Sequence, residues 1–201
     1  MRIARAWMWL PFLAGAFASV ALAASFERVT ATQEVQATAS EATPRYTSQG
    51  HLIRPQDYRE WIYLSSGLGM AYTPNAAYPG NFTNVFVPQA AYHAFLATGK
   101  WPDKTMFVLE ERAASSNGSI NKGGHFQADL AGLAAEVKDK GRFPEKWAYF
   151  SFASGTTDAA PNPKTACWDC HNAHAAVENT FVQFYPTLKP VALKFGTYKA
   201  R

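Results

Sequence analysis

The chain has 201 residues, of which 48% are hydrophobic and 14% aromatic, and it carries 19 Lys+Arg against 15 Asp+Glu for a formal charge of +4. That excess is too small and too scattered to suggest a nucleic-acid or strongly anionic partner, and the length suits one domain with a real core. Only two cysteines are present, which excludes a disulfide-rich scaffold.

Met1 to Arg5 carries two positive charges, an apolar stretch runs from Ala6 to about Leu22, and Ala21-Leu22-Ala23 ends it. This is the pattern of a secretory signal peptide, with cleavage expected after Ala23. The stretch is near spanning length, so an uncleaved membrane anchor is the alternative. Its Ala and Gly content, Pro11 and the small-residue site favour cleavage. No other segment could cross a bilayer, so no membrane contact is expected afterwards. Loss of Arg2 and Arg5 lowers the formal charge from +4 to +2. Residues 24–54 read as a flexible leader rich in Ala, Thr, Ser, Gln and Glu. A single domain is expected over 55–190, with a tail over 191–201.

Within that domain, Asp57 to Leu64 reads as a helical turn leading into a strand, broken by Ser65-Ser66-Gly67-Leu68-Gly69. A short strand is expected from Asn84 to Val87. Pro88 should open a helix through Ala97, stopped by Gly99. Lys104 to Arg112 reads as a strand with Thr105, Phe107 and Leu109 on one face. Ser115 to Gly124 is a polar loop, Trp147 to Phe152 an aromatic strand, and Asp158 to Pro163 another loop. Gly132 to Asp139 fits a helix or a strand. Ala173 to Tyr185 looks helical, with Val177, Phe181 and Phe184 at 3.6-residue spacing and Pro186 ending the run.

Both cysteines fall in Cys167-Trp168-Asp169-Cys170-His171. Cys-x-x-Cys-His is the attachment pattern of a c-type haem. Two thiols three positions apart reach the two vinyl groups on one porphyrin edge, and the following imidazole stands under the iron. One covalent haem c is therefore expected, with Cys167 and Cys170 as thioether anchors and His171 as the proximal iron ligand. Three alternatives use the same residues. A zinc site would add His174, a redox dithiol would need a thioredoxin-like βαβ unit, and a short-loop disulfide would be strained. The haem reading explains most, and with the signal peptide it points to a bacterial periplasm. Aromatic residues suit a flat haem wall and an ordinary core equally.

The motif lies near the C-terminus, and no methionine follows His171. Met70 or Met106 could ligate only from upstream, and single methionines among strands usually fill cores. An all-helical bundle with a C-terminal haem motif conflicts with the strands above. His125 could act at an open iron site only if its loop folds over the haem. His51, His93 and His174 read as surface residues.

Several ordered segments resemble cytochrome P-460: Tyr58-Arg59-Glu60-Trp61, Trp101-Pro102-Asp103-Lys104-Thr105, Gly132-Leu133 through Val137-Lys138-Asp139, Trp147-Ala148-Tyr149-Phe150, and Cys167 to His171 followed by Phe181 to Pro186. The similarity covers about residues 57 to 188. It implies an α+β fold, mainly antiparallel β-sheet with flanking helices, a strand over Gly132 to Asp139, and a homodimer. It also implies hydroxylamine oxidation, carried by a lysine cross-linked to the porphyrin and a distal glutamate. Those two positions are Leu109 and Ala134 here. Lys104 replaces the turn glycine, and Glu110, Glu111 and Glu136 lie off the matched positions. The expectation is therefore an apolar distal wall of Leu109, Ala134 and Phe107, with Phe86 a further candidate. Such a wall around a five-coordinate iron favours NO and CO, as in the related cytochrome c′-β branch. A hydroxylamine or NO oxidoreductase, and simple electron transfer with a redox partner protein, are the competing functions.

Overall fold

The computed structural model describes residues 42–200 except 73, 75 and 77. The expected signal peptide over 1–23 and most of the expected leader over 24–54 lie outside these residues. Among the described residues there are seven strands and three α-helices. The strands are β1 (Leu52–Ile53), β2 (Ile62–Leu68), β3 (Asn81–Val87), β4 (Met106–Ser115), β5 (Phe126–Lys138), β6 (Trp147–Phe152) and β7 (Asp158–Ala159). The helices are α1 (Gln89–Thr98), α2 (Trp168–His174) and α3 (Lys189–Lys194). Strands β2 to β6 form one antiparallel sheet in sequence order, and β1 pairs with β7. The expected mainly antiparallel α+β fold is present, and no helix among the described residues is long and apolar enough to cross a membrane.

Alternation along β4 and β5 divides the core in two, because successive side chains of a strand point to opposite faces. Met106, Val108, Leu133, Ala135 and Val137 pack on one face with Leu52, Tyr58 and Phe150. Phe107 and Tyr149 point to the other, where they join Phe95, Trp101, Val177, Val182 and Tyr185. Helix α1 covers part of that second face through Ala91 and Phe95. It ends where the sequence predicts. Gly99 has φ 66°, and its N–H donates to Phe95 O at 2.7 Å. A Cβ there would lie 2.7 Å from Phe195 Cβ, so glycine serves both the left-handed backbone and the close approach of the C-terminal segment.

Several expectations change. The folded unit begins before residue 55: Leu52 is fully buried, pairs with Ala159 and packs in the core. Residues 191–201 are not a free tail at their start, since Ala192 on α3 is fully buried and Tyr198 packs against the core. Strand β2 continues through Ser65–Leu68, with a bulge between Tyr63 and Ser65. Pairing with β3 outweighs the weak strand propensity of Ser and Gly there. Asp158 and Ala159 form β7 rather than loop.

The largest difference concerns Ala173 to Tyr185. The helix lies earlier, over the haem motif itself, and Ala175 is already extended. Glu178 has φ 51°, Val177 and Thr180 bridge, and only Val182–Phe184 forms a 3-10 turn. Trp101 Nε1 donates to Thr180 Oγ1 at 2.8 Å, which holds this turn against the sheet.

Candidate functional site

Register builds one cavity wall from rows of facing residues. Leu109 pairs with Val85 on β3 and Ala134 on β5; Val85 pairs in turn with Ser65, and Ala134 with Ser151. This row crosses all five strands. One step along, Glu111 pairs with Thr83 and Gly132; on the other side, Phe107 pairs with Glu136, which pairs with Tyr149. Members of all three rows line a cavity of about 260 Å³. Gly67 belongs there because a Cβ would lie 2.2 Å from Met70 Sδ.

The opposite wall comes from the motif and the turn after it: Cys167, His171, Phe181, Phe184 and Tyr185. A 3-10 turn at Lys164–Ala166 leads into α2, and Asn162 Nδ2 lies 3.4 Å from Cys167 Sγ. Both thiols are free, Cys167 half-buried and Cys170 exposed. The His171 ring sits between Tyr149 and Phe181, at centroid distances of 4.4 and 4.5 Å. Its Nδ1 lies 2.8 Å from Asn179 O. A ring whose Nδ1–H is held by a carbonyl leaves Nε2 with a lone pair for a metal.

Glu136 Oε2 also lies 3.2 Å from His171 Nδ1. That oxygen is buried and accepts no hydrogen bond among the described residues, so the contact is one of charge rather than of aligned donor and acceptor. Burial favours the neutral imidazole, but Glu136 and the Asn179 carbonyl outweigh it and hold the His171 pKa above its ordinary value. Burial, reinforced by the Glu136 charge, pushes the Tyr149 phenol up, so it stays protonated.

A covalent haem fits these residues. The cavity has a thiol and an imidazole on one wall and aromatic faces beside them, and Glu136 Oε2, Trp168 Nε1 and Asn179 Nδ2 are buried polar atoms with no hydrogen-bond partner among the described residues. Cys167 and Cys170 would anchor it and His171 would ligate the iron; the group would supply reversible binding of a small molecule at the metal. No three His, Cys, Asp or Glu among the described residues group as a metal-ion site, so the zinc arrangement with His174 is not formed.

Leu109, Ala134 and Phe107 all line the cavity. Phe86 does not: it packs against the other core and meets Tyr58 edge-on at 5.5 Å. Lys104 takes φ 64° where a glycine is expected, and its Nζ pairs with Asp139. His125 contacts Tyr78 at 5.6 Å and is not in the cavity wall. His51 pairs with Asp158 at 2.8 Å, while His93 and His174 are exposed. Met106 is buried in the opposite core, whereas Met70 reaches the cavity.

The expectation of a carboxylate-free wall is overturned. Glu111 and Glu136 are each displaced by two residues from Leu109 and Ala134, and a two-residue step on a strand keeps the same face. Both line the cavity. Only Glu110 turns away. It is buried on the other side with Arg59, Arg112 and Tyr58. The period of the strand was the signal that distinguishes these three glutamates.

The family model described as Cytochrome P460 matches residues 55–182. No curated protein matches the chain. The match spans more than half of the sequence, so the chain belongs to the cytochrome P460 family, and membership implies a haem cofactor.

Proposed function

We propose that this family member is a periplasmic mono-haem c-type cytochrome whose five-coordinate iron binds NO or CO, in gas binding, scavenging or sensing. His171 is the proximal ligand, and Cys167 and Cys170 hold the haem. The signal-like N-terminus supports export, and the resemblance is what supports a homodimer.

One observation carries the choice of ligand: Leu109 and Ala134 face each other at the centre of the cavity wall. Neither side chain can cross-link a porphyrin or relay a proton. Glu111 brings a carboxylate to one side of that pair, but without the lysine. A neutral diatomic needs little polar help to bind an open iron.

Visible spectra of the ferric, ferrous and ferrous–CO forms test this. The expected result is a high-spin c-type spectrum and CO binding without ligand displacement. A strongly red-shifted Soret band with a lysine–porphyrin adduct would instead indicate hydroxylamine or NO oxidation. Met70 at the cavity favours a second reading, electron transfer with a redox partner protein. That reading predicts a low-spin six-coordinate iron that becomes high-spin in Met70→Leu.

A further inference from the structure

Glu136 also lines the cavity, on the other side of the Leu109–Ala134 pair from Glu111. It stands in the row with Phe107 and Tyr149, and its Oε2 lies 3.2 Å from His171 Nδ1. The residue is 9% exposed, and no hydrogen bond from the described residues reaches that oxygen. Nor does the neighbouring cation on the same strand face neutralise it. Lys138 Nζ is committed to Glu178 at 2.6 Å and to Trp101 O at 2.7 Å. Among the described residues, His171 is the one ion-pair partner of Glu136 within 4.0 Å.

An anionic oxygen beside the far nitrogen of a ligating imidazole makes the near nitrogen a stronger donor. Partners of this kind also set ring orientation and tautomer, and the Asn179 carbonyl already occupies the Nδ1–H. Stronger donation stabilises the oxidised metal.

We infer that Glu136 is a positioning residue for His171 whose carboxylate strengthens the histidine–iron bond and lowers the reduction potential of the haem. This rests on the haem reading above.

The test uses the full chain matured with its haem, comparing wild type, Glu136→Gln, Glu136→Asp and Glu111→Gln. Two readouts are taken, the haem reduction potential and the iron–histidine stretch of the ferrous form in resonance Raman spectra. Glu136→Gln should raise the potential enough to change the ferric-to-ferrous ratio about tenfold, which is about 59 mV for a one-electron couple. The stretch should fall to lower frequency. Glu136→Asp, which retains the charge but withdraws it, should move both readouts the same way by less, and serves if the Gln variant fails to fold. Glu111→Gln should leave the stretch unchanged. An unmoved stretch and potential in haem-loaded Glu136 variants overturn the inference, as does an equal shift of both in Glu111→Gln. Colourless wild-type protein overturns the haem reading itself, a result distinct from either.

Discussion

Leu109 on β4 and Ala134 on β5 are direct cross-strand partners. The resemblance places the cross-linking lysine at the first position and the distal glutamate at the second, so its pattern sets two functional polar groups side by side in the cavity. Directly opposed side chains on a sheet interact, and here that pair is apolar on both strands.

Leu109→Lys should restore a primary amine beside the porphyrin edge and form a lysine–haem adduct under oxidising conditions. Mass spectrometry of peptides from the matured protein detects it. Unchanged mass and spectrum would show that this position does not reach the porphyrin.

Cys167→Ala and Cys170→Ala should each leave a single thioether, and the double variant should lose its haem on denaturation. A haem-stained denaturing gel reads the result. Cys167 is half-buried and Cys170 exposed, so the haem-free fold should change by only about 0.5 kcal/mol. A larger loss would assign the cysteines a packing role.

Glu110 links acid stability to the far side of the sheet. Burial works against its charge, but hydrogen bonds from Arg112, Tyr58 and Arg59 bring its pKa down to about 2, from 4.5. The depressed value means the stabilisation is present above about pH 4.5 and is lost as pH falls toward 2. After allowance for the exposed Arg59, it amounts to about 2 kcal/mol. Urea unfolding at pH 7, 4 and 2.5 should show that loss in the wild type, and Glu110→Gln should remove this part of the pH dependence.

Phe107 serves both core and cavity, with Trp101 edge-on at 4.7 Å and Tyr185 stacked at 6.4 Å. Phe107→Ala should therefore cost about 3–5 kcal/mol, measured by denaturant unfolding of the haem-free protein. A loss below about 1 kcal/mol would show that the neighbours close the gap.

What the sequence made legible follows from how local each signal is. Cys-x-x-Cys-His carries its meaning in five residues, and α1 announces itself by Pro88 and Gly99. Strand β6 is an aromatic-rich run broken only by Ser151. By contrast, Leu52 and Ile53 are two apolar residues in a polar stretch, and only the pairing of Leu52 with Ala159 reveals its burial. The stripe of Val177, Phe181 and Phe184 mimics a helix, yet the chain turns at Glu178 so that Asn179 O meets His171. Glu136 was within reach of simple counting from Ala134, but its nearness to the imidazole depends on where α2 docks.

Because the pleat sends Leu109 and Glu111 to one side and Val108 and Glu110 to the other, the sheet works as a partition between two evolutionary tasks. Exchanges at alternate positions can change the lining of the cavity, while the back of the same strands keeps its scaffold. A lineage on this framework can thus change trade without relearning how to fold.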